Sequence, residues 1–288
     1  MRIGFYPGCS LNGTSREYNE SVKAIAKAMG IDLVELKDWN CCGATAAHSM
    51  NKSLSLALPT RILALAEKQG IEEIIVPCAS CYNRLSVTQY ELDNNNQLKD
   101  EILTTVGLPY TGIVKVLNVL QFIEKYMAET LAEKIIQPFT HKVACYYGCL
   151  LVRPHKILKF DRLEDPQSMD KVMSMLGATP IDWAYKTECC GAGLSVSRTD
   201  LVSRLSGNIL KDANVRGAEA VIVACPMCHS NLDMRRSAIN QYLAEPVTIP
   251  VLYVTQAIGL AIGLSPKELG LQRHFVNVNL KASEVCQE

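Results

Sequence analysis

The feature that most constrains this 288-residue chain is an internal duplication that carries most of its cysteines. Four blocks of the first half return in the second half in the same order: IGFYPGC at 3–9 as VACYYGC at 143–149, CCGA at 41–44 as CCGA at 189–192, EIIVPCASC at 73–81 as AVIVACPMC at 220–228, and VLNVLQ at 116–121 as VLYVTQ at 251–256. An ordered repeat of this kind predicts two copies of one folding unit. We place the boundary near Thr140, which gives a first cysteine-rich domain at residues 1–140 and a second at residues 141–288.

Short apolar runs alternate with longer amphipathic stretches within each half. In the first half the pattern predicts strands at residues 3–6, 31–36, 71–77 and 113–117, helices at residues 15–29, 53–69 and 118–136, and a polar surface loop at residues 91–101. Alternation of strands and helices is typical of an α/β fold with a parallel sheet. We therefore expect two pseudo-symmetric, Rossmann-like domains. Ligands of such sheets collect at the carboxyl ends of the strands, which is where the repeated cysteines fall.

Charge and hydropathy exclude several classes of partner. Lys plus Arg and Asp plus Glu both number 29, so the formal net charge is zero, and no basic footprint for nucleic acid or an anionic membrane surface is present. The longest apolar segment, residues 251–264, is interrupted by Thr255 and Gln256 and is too short to span a bilayer. The N-terminal sequence lacks the basic and then apolar stretch of a signal peptide, which predicts a cytoplasmic location.

The chain contains twelve cysteines, of which ten belong to the repeat. The first half reads Cys9-x31-Cys41-Cys42-x35-Cys78-x2-Cys81, and the second half reads Cys149-x39-Cys189-Cys190-x34-Cys225-x2-Cys228. Stable disulfides are rare in cytosolic chains of this size, so the clusters indicate metal or redox chemistry. Thiolates suit iron-sulfur clusters or zinc. Spacing favours iron-sulfur but leaves zinc and a metal-free dithiol open, because five sulfurs per half exceed the four that either an ordinary cubane or a structural zinc requires.

The doubled Cys-Cys-Gly pattern resembles the cysteine-rich domains of the heterodisulfide reductase B subunit over nearly the whole chain. Two further segments, YGCLLVRP at 147–154 and DPQSMD at 165–170, look like that subunit in particular. The resemblance implies two non-cubane [4Fe-4S] clusters, each held by five cysteines, one of them bridging. The first would fall to Cys9, Cys41, Cys42, Cys78 and Cys81, and the second to Cys149, Cys189, Cys190, Cys225 and Cys228. The x34 interval is one residue shorter than the family usually has, which we attribute to a loop deletion.

The resemblance also implies a catalytic role in a larger complex. A disulfide, CoM-S-S-CoB or a related compound, would bind between the halves and be reduced to two thiols. Electrons would come from a ferredoxin-like [4Fe-4S] subunit of the C type and, behind it, a flavin subunit of the A type, because this chain has no Gly-x-Gly-x-x-Gly nucleotide fingerprint. Which disulfide is used, and in which direction the reaction runs, the sequence does not decide.

Two other classes of function use the same cysteines. Similar doubled domains occur in sulfur-oxidising, lactate, glycolate, glycerol-3-phosphate and succinate oxidoreductase systems, where the protein would transfer electrons without cleaving a disulfide. A zinc scaffold for protein interaction is the third interpretation. Neighbouring genes, and an open iron beside a shared cleft, would separate the first two, whereas a colourless protein would indicate the third.

Several residues near the cysteines have both a functional and a structural interpretation. His48 follows the first Cys-Cys-Gly and His229 follows Cys228, so each is a candidate proton donor, with a structural role as the alternative. His229 also completes Cys-x-x-Cys-His, the haem attachment pattern, but the first half has Tyr82 at that position. Arg153 and His155 follow Cys149 and are candidates either for an anionic substrate tail or for a surface ion pair.

The remaining cysteines and the repeated glycines have simpler interpretations. Cys145 pairs in the repeat with Phe5 and is predicted to be a small buried hydrophobe, and Cys286 is predicted to be a free thiol in a polar tail. Glycine permits positive φ and close approach of the backbone to a bulky group. This predicts steric roles for the glycines next to the ligands, which are Gly8, Gly43, Gly148 and Gly191.

Overall fold

The computed structural model describes residues 2–44 and 47–280, and within them the chain forms two four-stranded parallel sheets. The strands of the first sheet are β1 (Arg2–Phe5), β2 (Asp32–Glu35), β3 (Glu73–Ile75) and β4 (Lys115–Leu117). Those of the second are β5 (Lys142–Tyr146), β6 (Thr179–Pro180), β7 (Ala220–Val223) and β8 (Val251–Tyr253). The prediction of two pseudo-symmetric parallel-sheet domains is confirmed. Cys286 lies outside the described residues.

Helices connect the strands and cover the sheets. In the first half they are α1 (Gly8–Asn12), α2 (Arg16–Ala28), α3 (Ala47–Met50), α4 (Lys52–Lys68), α5 (Ala79–Asp93), α6 (Asn96–Val106), α7 (Val119–Tyr126) and α8 (Ala128–Leu131). In the second half they are α9 (His155–Leu158), α10 (Ser168–Met175), α11 (Thr199–Val215), α12 (Pro226–Leu232), α13 (Arg236–Tyr242) and α14 (Val254–Ala261). Short 3₁₀ turns occur at Ala132–Lys134, Ala192–Leu194 and Leu271–Arg273.

Both sheets have the same strand order, β2-β1-β3-β4 and β6-β5-β7-β8. The central strands are buried, as expected when helices cover both faces, whereas the edge strands β2 and β6 are partly exposed. The chain leaves β1 toward one side of the sheet and β3 toward the other. The carboxyl ends of these two neighbours therefore form the switch point at which doubly wound sheets bind ligands, and β5 and β7 form its counterpart.

The predicted elements agree with the structure except in two segments. The surface loop predicted at residues 91–101 is wrong: α5 continues to Asp93 and α6 begins at Asn96. The polar run that suggested a loop is a helix cap, because the Asn95 side chain accepts a hydrogen bond from the Leu98 N–H at 3.0 Å. The long helix predicted at 118–136 is broken into α7, α8 and a 3₁₀ turn, with Met127 fully buried at the break.

The two halves pack together through an aromatic contact between α2 and the end of β8. The rings of Tyr18 and Tyr253 stack with centroids 3.9 Å apart and planes 5° from parallel, and both side chains are fully buried. One turn along α2, the hydroxyls of Ser21 and Thr255 are hydrogen-bonded at 2.7 Å. The Tyr18 hydroxyl also reaches the carbonyls of Pro77 and Ala224, at 3.4 and 3.3 Å. These two residues follow β3 and β7 and directly precede the Cys-x-x-Cys turns, so one side chain contacts both halves at equivalent points.

We expect Tyr18→Ala to lower the thermal unfolding midpoint by roughly 6–15 °C, because removal of a buried aromatic ring costs about 3–5 kcal/mol. Tyr18→Phe keeps the stack but loses the hydroxyl contacts, so its effect should be about a third of that. The measurement is thermal unfolding of the anaerobically purified protein. Tyr90→Ala, at a tyrosine that is 48% exposed, is the matched control, and an equal loss in the control would contradict this role for Tyr18.

Candidate metal centre

The fold brings the ten repeated cysteines to the carboxyl edges of the two sheets. In the first half, Cys9 lies in α1 directly after β1, the Cys41-Cys42 pair follows β2, and Cys78 and Cys81 begin α5 after β3. The second half repeats the arrangement: Cys149 follows β5, Cys189-Cys190 follows β6, and Cys225 and Cys228 begin α12 after β7. We call these groups the first and second cysteine sets. The assignment of these ten residues as ligands stays a prediction.

Sulfur contacts link the members of each set. The Sγ atoms of Cys42 and Cys81 are 3.2 Å apart, and those of Cys190 and Cys228 are 3.6 Å apart. These pairs are equivalent in the repeat, so the shorter x34 interval leaves the contact intact. The two sets also come close at the junction of the halves: the Tyr18 hydroxyl lies 3.4 Å from the Pro77 carbonyl and 3.3 Å from the Ala224 carbonyl, directly before Cys78 and Cys225, and each of these two thiols shifts the pKa of the other. The ten sulfurs thus form one region that crosses the junction of the halves.

The two sets share a gradient of exposure. The inner thiols, Cys42, Cys78, Cys81, Cys190, Cys225 and Cys228, are buried, whereas Cys9, Cys41 and Cys189 are exposed and Cys149 is half-buried. The inner sulfurs are therefore shielded from water, and the outer ones border solvent. A group held by a whole set would be enclosed on its protein side and accessible at its rim.

Backbone N–H groups point at the sulfurs of both Cys-Cys-Gly turns. The Gly43 N–H donates to the Cys41 Sγ at 3.4 Å, and the Gly191 N–H donates to the Cys189 Sγ at 3.3 Å. The thiol of Cys149 and the N–H groups of Gly191 and Ala192 outweigh burial and lower the pKa of Cys189 to about 6. Each Cys-x-x-Cys also lies at a helix N-terminus, which favours thiolate. Each glycine N–H therefore favours the thiolate form of the sulfur that it faces, although the Cys42 thiol and burial together raise the pKa of Cys41.

Two tyrosines that the sequence pattern does not single out hold the Cys-Cys-Gly turns. The Tyr6 hydroxyl donates to the Asn40 carbonyl at 2.8 Å, and the Tyr146 hydroxyl donates to the Glu188 carbonyl at 2.6 Å. Each acceptor immediately precedes a cysteine pair. Burial is the main cause that raises the pKa of both phenols, and neighbouring cysteines add to it, so they remain neutral donors. The sequence signal that could have found them is that Tyr6 and Tyr146 occupy equivalent positions in the first repeated block.

A buried ion-pair network supports the turn that carries Cys149. The Lys186 ammonium lies 2.8 Å from an Asp165 carboxylate oxygen and 3.0 Å from one of Asp170. The Lys186 carbonyl accepts the N–H groups of Tyr147 and Gly148 at 2.9 and 3.0 Å. Asp165 and Asp170 begin and end the DPQSMD segment noted in the sequence. That segment therefore fixes the position of the residues just before Cys149.

The four glycines next to the cysteines all have positive φ, as predicted. Gly8 and Gly148, where φ is 64° and 69°, are the two at which a side chain would approach a sulfur. A Cβ atom would lie 3.2 Å from the Cys81 Sγ at Gly8 and 3.0 Å from the Cys228 Sγ at Gly148. Any larger residue would press on a sulfur of the same set.

The candidate proton donors lie in different surroundings. His48 is exposed on α3. His229 is buried, with Nε2 3.1 Å from the Val251 carbonyl and its ring stacked on Tyr253 at 4.3 Å. Burial lowers the pKa of His229 well below its usual value. Solvent therefore reaches His48 directly but not His229.

The other candidate residues lie beside the second set. Arg153 pairs with Glu164 at 3.1 Å and donates to the Thr187 carbonyl at 3.2 Å, which supports its ion-pair interpretation. His155 begins the short helix α9 and is exposed. Cys145 is fully buried inside β5, and burial raises its pKa well above the usual value. It lies apart from the ligand turns, as its position in the repeat predicts.

The spread of the sulfurs bears on what each set can hold. In residues 2–44 and 47–280, the group of three or more ligand atoms that all lie within 4.8 Å of one another is His229, Asp233 and His274, and it contains no cysteine. A tetrahedral zinc with bonds of about 2.3 Å would bring four sulfurs within roughly 3.8 Å of each other. The cysteine sets therefore fit a larger group, and a multinuclear iron-sulfur cluster matches their donor type.

The His229, Asp233 and His274 group is engaged in hydrogen bonds within the protein. The Asp233 carboxylate accepts the N–H groups of Phe275 and Val276 at 2.8 and 3.1 Å. The His274 Nε2 lies 2.8 Å from the Gln256 amide nitrogen. These contacts fasten the C-terminal segment to α12 and α14.

Comparison with protein families identifies one domain twice. The family model described as "CCG: Cysteine-rich domain" matches residues 3–86 and 143–233. A solved structure of a hypothetical protein from Helicobacter pylori superposes with a TM-score of 0.78 at 14% identity, covering 96% of this chain and 52% of that one. The chain thus spans about half of that protein, and the similarity shows the fold.

Curated relatives match over most of their length. The chain is 31% identical to the 8-methylmenaquinol:fumarate reductase membrane anchor subunit of Wolinella succinogenes, covering 96% of this chain and 97% of the relative. It is also 31% identical to the B subunit of the ferredoxin/F(420)H(2)-dependent CoB-CoM heterodisulfide reductase of Methanosarcina acetivorans, covering 96% and 94%. No helix within the described part of the chain is long and apolar enough to cross a membrane.

We expect Gly148→Ala to lower the metal content of the second cysteine set and the thermal unfolding midpoint together, because the new Cβ strains a left-handed turn and contacts the Cys228 sulfur. Gly30→Ala is the matched control: φ is also positive at 72°, but nothing lies within 4 Å of its Cβ position. The control should lose about 1 kcal/mol of stability with unchanged metal content. Metal analysis and thermal unfolding of both variants measure this, and equal metal loss in both would refute the steric role.

Proposed function

Because the chain belongs to the heterodisulfide reductase B-subunit family, whose cysteine-rich CCG domain it carries twice, we propose that it is the disulfide-reducing subunit of an oxidoreductase complex. The observation that carries the proposal is that the Tyr18 hydroxyl reaches the carbonyls directly before Cys78 and Cys225, at 3.4 and 3.3 Å, so that two equivalent cysteine sets lie at one junction. A disulfide has two equivalent reacting atoms. Two matched sets of ligands, one in each half, supply one site for each sulfur.

The proposed cofactors are two non-cubane [4Fe-4S] clusters. The first would be held by Cys9, Cys41, Cys42, Cys78 and Cys81, and the second by Cys149, Cys189, Cys190, Cys225 and Cys228. When bound, such clusters supply single electrons and iron that binds sulfur. A cluster with five cysteine ligands would use every sulfur of a set, whereas a single cubane or zinc ion binds four and leaves the fifth without a role. The N–H groups at Gly43 and Gly191 stabilise the thiolates that such binding requires.

The overall reaction consumes two electrons and two protons: R–S–S–R′ + 2e⁻ + 2H⁺ gives R–SH and R′–SH. The substrate would be CoM-S-S-CoB or a related disulfide, entering from the rim where Cys9, Cys41 and Cys189 are exposed. We assign proton delivery to His48, because it is exposed beside the first set, whereas His229 is buried behind the second. The buried inner sulfurs keep water from the protein side of the site.

The relatives of this chain are named as subunits of complexes, so its electrons would arrive from other polypeptides. We propose a ferredoxin-like [4Fe-4S] subunit of the C type as the direct partner and a flavin subunit of the A type as the next component. The described residues of this chain hold neither a ferredoxin cysteine run nor a nucleotide fingerprint. The cytoplasmic location expected from the sequence stays a prediction.

A second candidate function is electron transfer without disulfide cleavage. The equally similar relative from Wolinella succinogenes, named as the membrane anchor subunit of a fumarate reductase, favours this alternative. Both functions use the same cysteine sets, so ligand analysis does not separate them. Catalysis separates them, because only the first function produces two thiols for every two electrons consumed.

The test supplies the anaerobically purified protein with a reduced one-electron dye and a panel of disulfides that includes CoM-S-S-CoB. Disulfide reductase activity predicts two free thiols for each two equivalents of dye oxidised. If the bound iron is reduced by the dye but no disulfide in the panel yields thiols, the electron-transfer function is correct instead. Free thiols are counted with a chromogenic thiol reagent.

We expect about eight iron and eight acid-labile sulfide per chain in the wild-type protein. Cys42→Ser should lose about half of both, because it removes a buried ligand of the first set. Cys145→Ser is the matched control, since this cysteine is equally buried but belongs to neither set, and its iron content should be unchanged. The iron, sulfide and zinc contents and the visible spectrum are measured for the wild-type protein and for both variants.

One result would contradict the proposed cofactors, and another would contradict the assignment of Cys42 as a ligand. If the protein is colourless and contains stoichiometric zinc, the redox function is wrong and a structural or interaction role is correct instead. Iron loss in Cys145→Ser equal to that in Cys42→Ser would show that the variants act through general unfolding, and thermal unfolding of both identifies that case.

A further inference from the structure

A buried amide lies against the second cysteine set. Asn231 is on α12, three residues after Cys228, and it is only 1% exposed. Its amide nitrogen donates to the Cys190 carbonyl at 3.2 Å and to the Cys190 Sγ at 3.6 Å. One amide therefore contacts both the backbone and the sulfur of the same proposed ligand.

Two donors fix the direction in which this amide points. The Ser195 hydroxyl donates to the Asn231 Oδ1 at 3.0 Å, and the Arg235 Nε donates to the same oxygen at 3.2 Å. A side-chain amide accepts hydrogen bonds through its oxygen and donates them through its nitrogen. The nitrogen must therefore face Cys190, because the reversed orientation would set the NH₂ group against the Arg235 N–H.

The guanidinium of Arg235 lies behind the oxygen of the amide. It is half-buried, and its Nη2 also donates to the Ser195 carbonyl at 2.5 Å. Within residues 2–44 and 47–280, it pairs with no carboxylate within 4.0 Å. A positive charge at the oxygen polarises the amide, which makes the N–H groups on its other side stronger donors.

Hydrogen bonds to the sulfur ligands are among the factors that set the reduction potential of an iron-sulfur cluster. A reduced cluster carries one more negative charge than an oxidised one, so a donor aimed at a ligand sulfur stabilises the reduced form more. The reduction potential therefore rises. Burial of Cys190 strengthens this effect, because water does not screen the contact.

The first half has an arginine in place of this amide. The repeat aligns Asn231 with Arg84, because each lies three residues after the last cysteine of its set. The Arg84 Nη2 donates to the Ser55 carbonyl at 3.0 Å. Asn231 acts on the second set, so a cluster at the first set can serve as a reference within the same molecule.

We propose that Asn231, oriented by Ser195 and Arg235, is a positioning residue that raises the reduction potential of the cluster at the second cysteine set. This role rests on the proposed assignment of Cys190 as a cluster ligand, but it does not depend on cleavage of a disulfide. A higher potential makes the cluster easier for an electron donor to reduce, which applies to both candidate functions.

The test is an anaerobic redox titration of the full-length, cluster-loaded protein, poised with dithionite and mediator dyes and followed by EPR. Asn231→Leu has a similar volume but no donor. At a fixed potential, its second cluster should show an about tenfold lower ratio of reduced to oxidised form, which corresponds to about 59 mV for a one-electron couple. The first cluster should titrate as in the wild type, and the transition that remains in Cys42→Ser identifies the second.

Ser206→Ala is the matched control, because the fully buried Ser206 hydroxyl donates to the same Cys190 carbonyl at 3.2 Å. This variant removes a buried hydrogen bond to the backbone of Cys190 rather than to its sulfur, so the potential should stay unchanged. Arg235→Gln should shift the potential in the same direction as Asn231→Leu, but by less, because Arg235 acts through the amide.

An unshifted second transition in Asn231→Leu would overturn the proposal, as would an equal shift in Ser206→Ala. A shift in Arg235→Gln without one in Asn231→Leu would also overturn it, because the charge would then act without the amide. Iron content and thermal unfolding of each variant verify that the second set is intact. If Asn231→Leu loses the second cluster, Asn231→Ser, whose hydroxyl is one bond shorter than the amide, takes its place with the same expected shift.

Failure of the proposed function would appear in the wild-type protein instead. If the wild type binds no iron, or iron that dithionite does not reduce, the proposed cofactors are wrong and this role for Asn231 is wrong with them. If both clusters titrate as expected but no disulfide yields thiols, the disulfide function alone is wrong.

Discussion

The contact of Tyr18 with the turns that carry Cys78 and Cys225 is the point on which the rest of the structure depends. Cys78 follows the central strand β3 and Cys225 follows β7, and parallel strands present such turns at one edge of a sheet. The two edges face each other because Tyr18 reaches the carbonyls of Pro77 and Ala224, which precede these cysteines. A shift of either sheet would separate the halves of the site.

Thiols in this setting need compensation for burial, and the protein provides it with dipoles more than with charges. Helix N-termini and the N–H groups of the Cys-Cys-Gly turns face sulfurs of both sets, while the hydroxyls of Tyr6 and Tyr146 hold the turns through backbone carbonyls. Full positive charges lie farther out: Arg84 follows Cys81 on α5, and Arg235 donates to the Asn231 side chain, which in turn donates to Cys190.

Much of the fold was predictable, because the repeated blocks and the hydrophobic periodicity both show the same alternation of strands and helices in each half. The strands were placed within a few residues, and the cysteine turns fell at their carboxyl ends as expected. The prediction failed at residues 91–101, where asparagines that look like a loop cap two helices. It also missed Tyr6 and Tyr146, because a tyrosine beside a glycine turn has no distinctive pattern until the turn it holds is known.

The sequence by itself determined the duplication, the parallel α/β class, the family and the candidate ligands, since these depend on residue types at fixed intervals along the chain. Tertiary structure alone decided which sulfurs touch, which are exposed and how the two sets meet. It also distinguished Arg84 from Arg153, two arginines close in sequence to cysteines. The reason is that the hydrogen bonds, ion pairs and burial of a side chain depend on residues distant in the chain. Arg84 donates to the Ser55 carbonyl, whereas Arg153 pairs with Glu164 and donates to the Thr187 carbonyl.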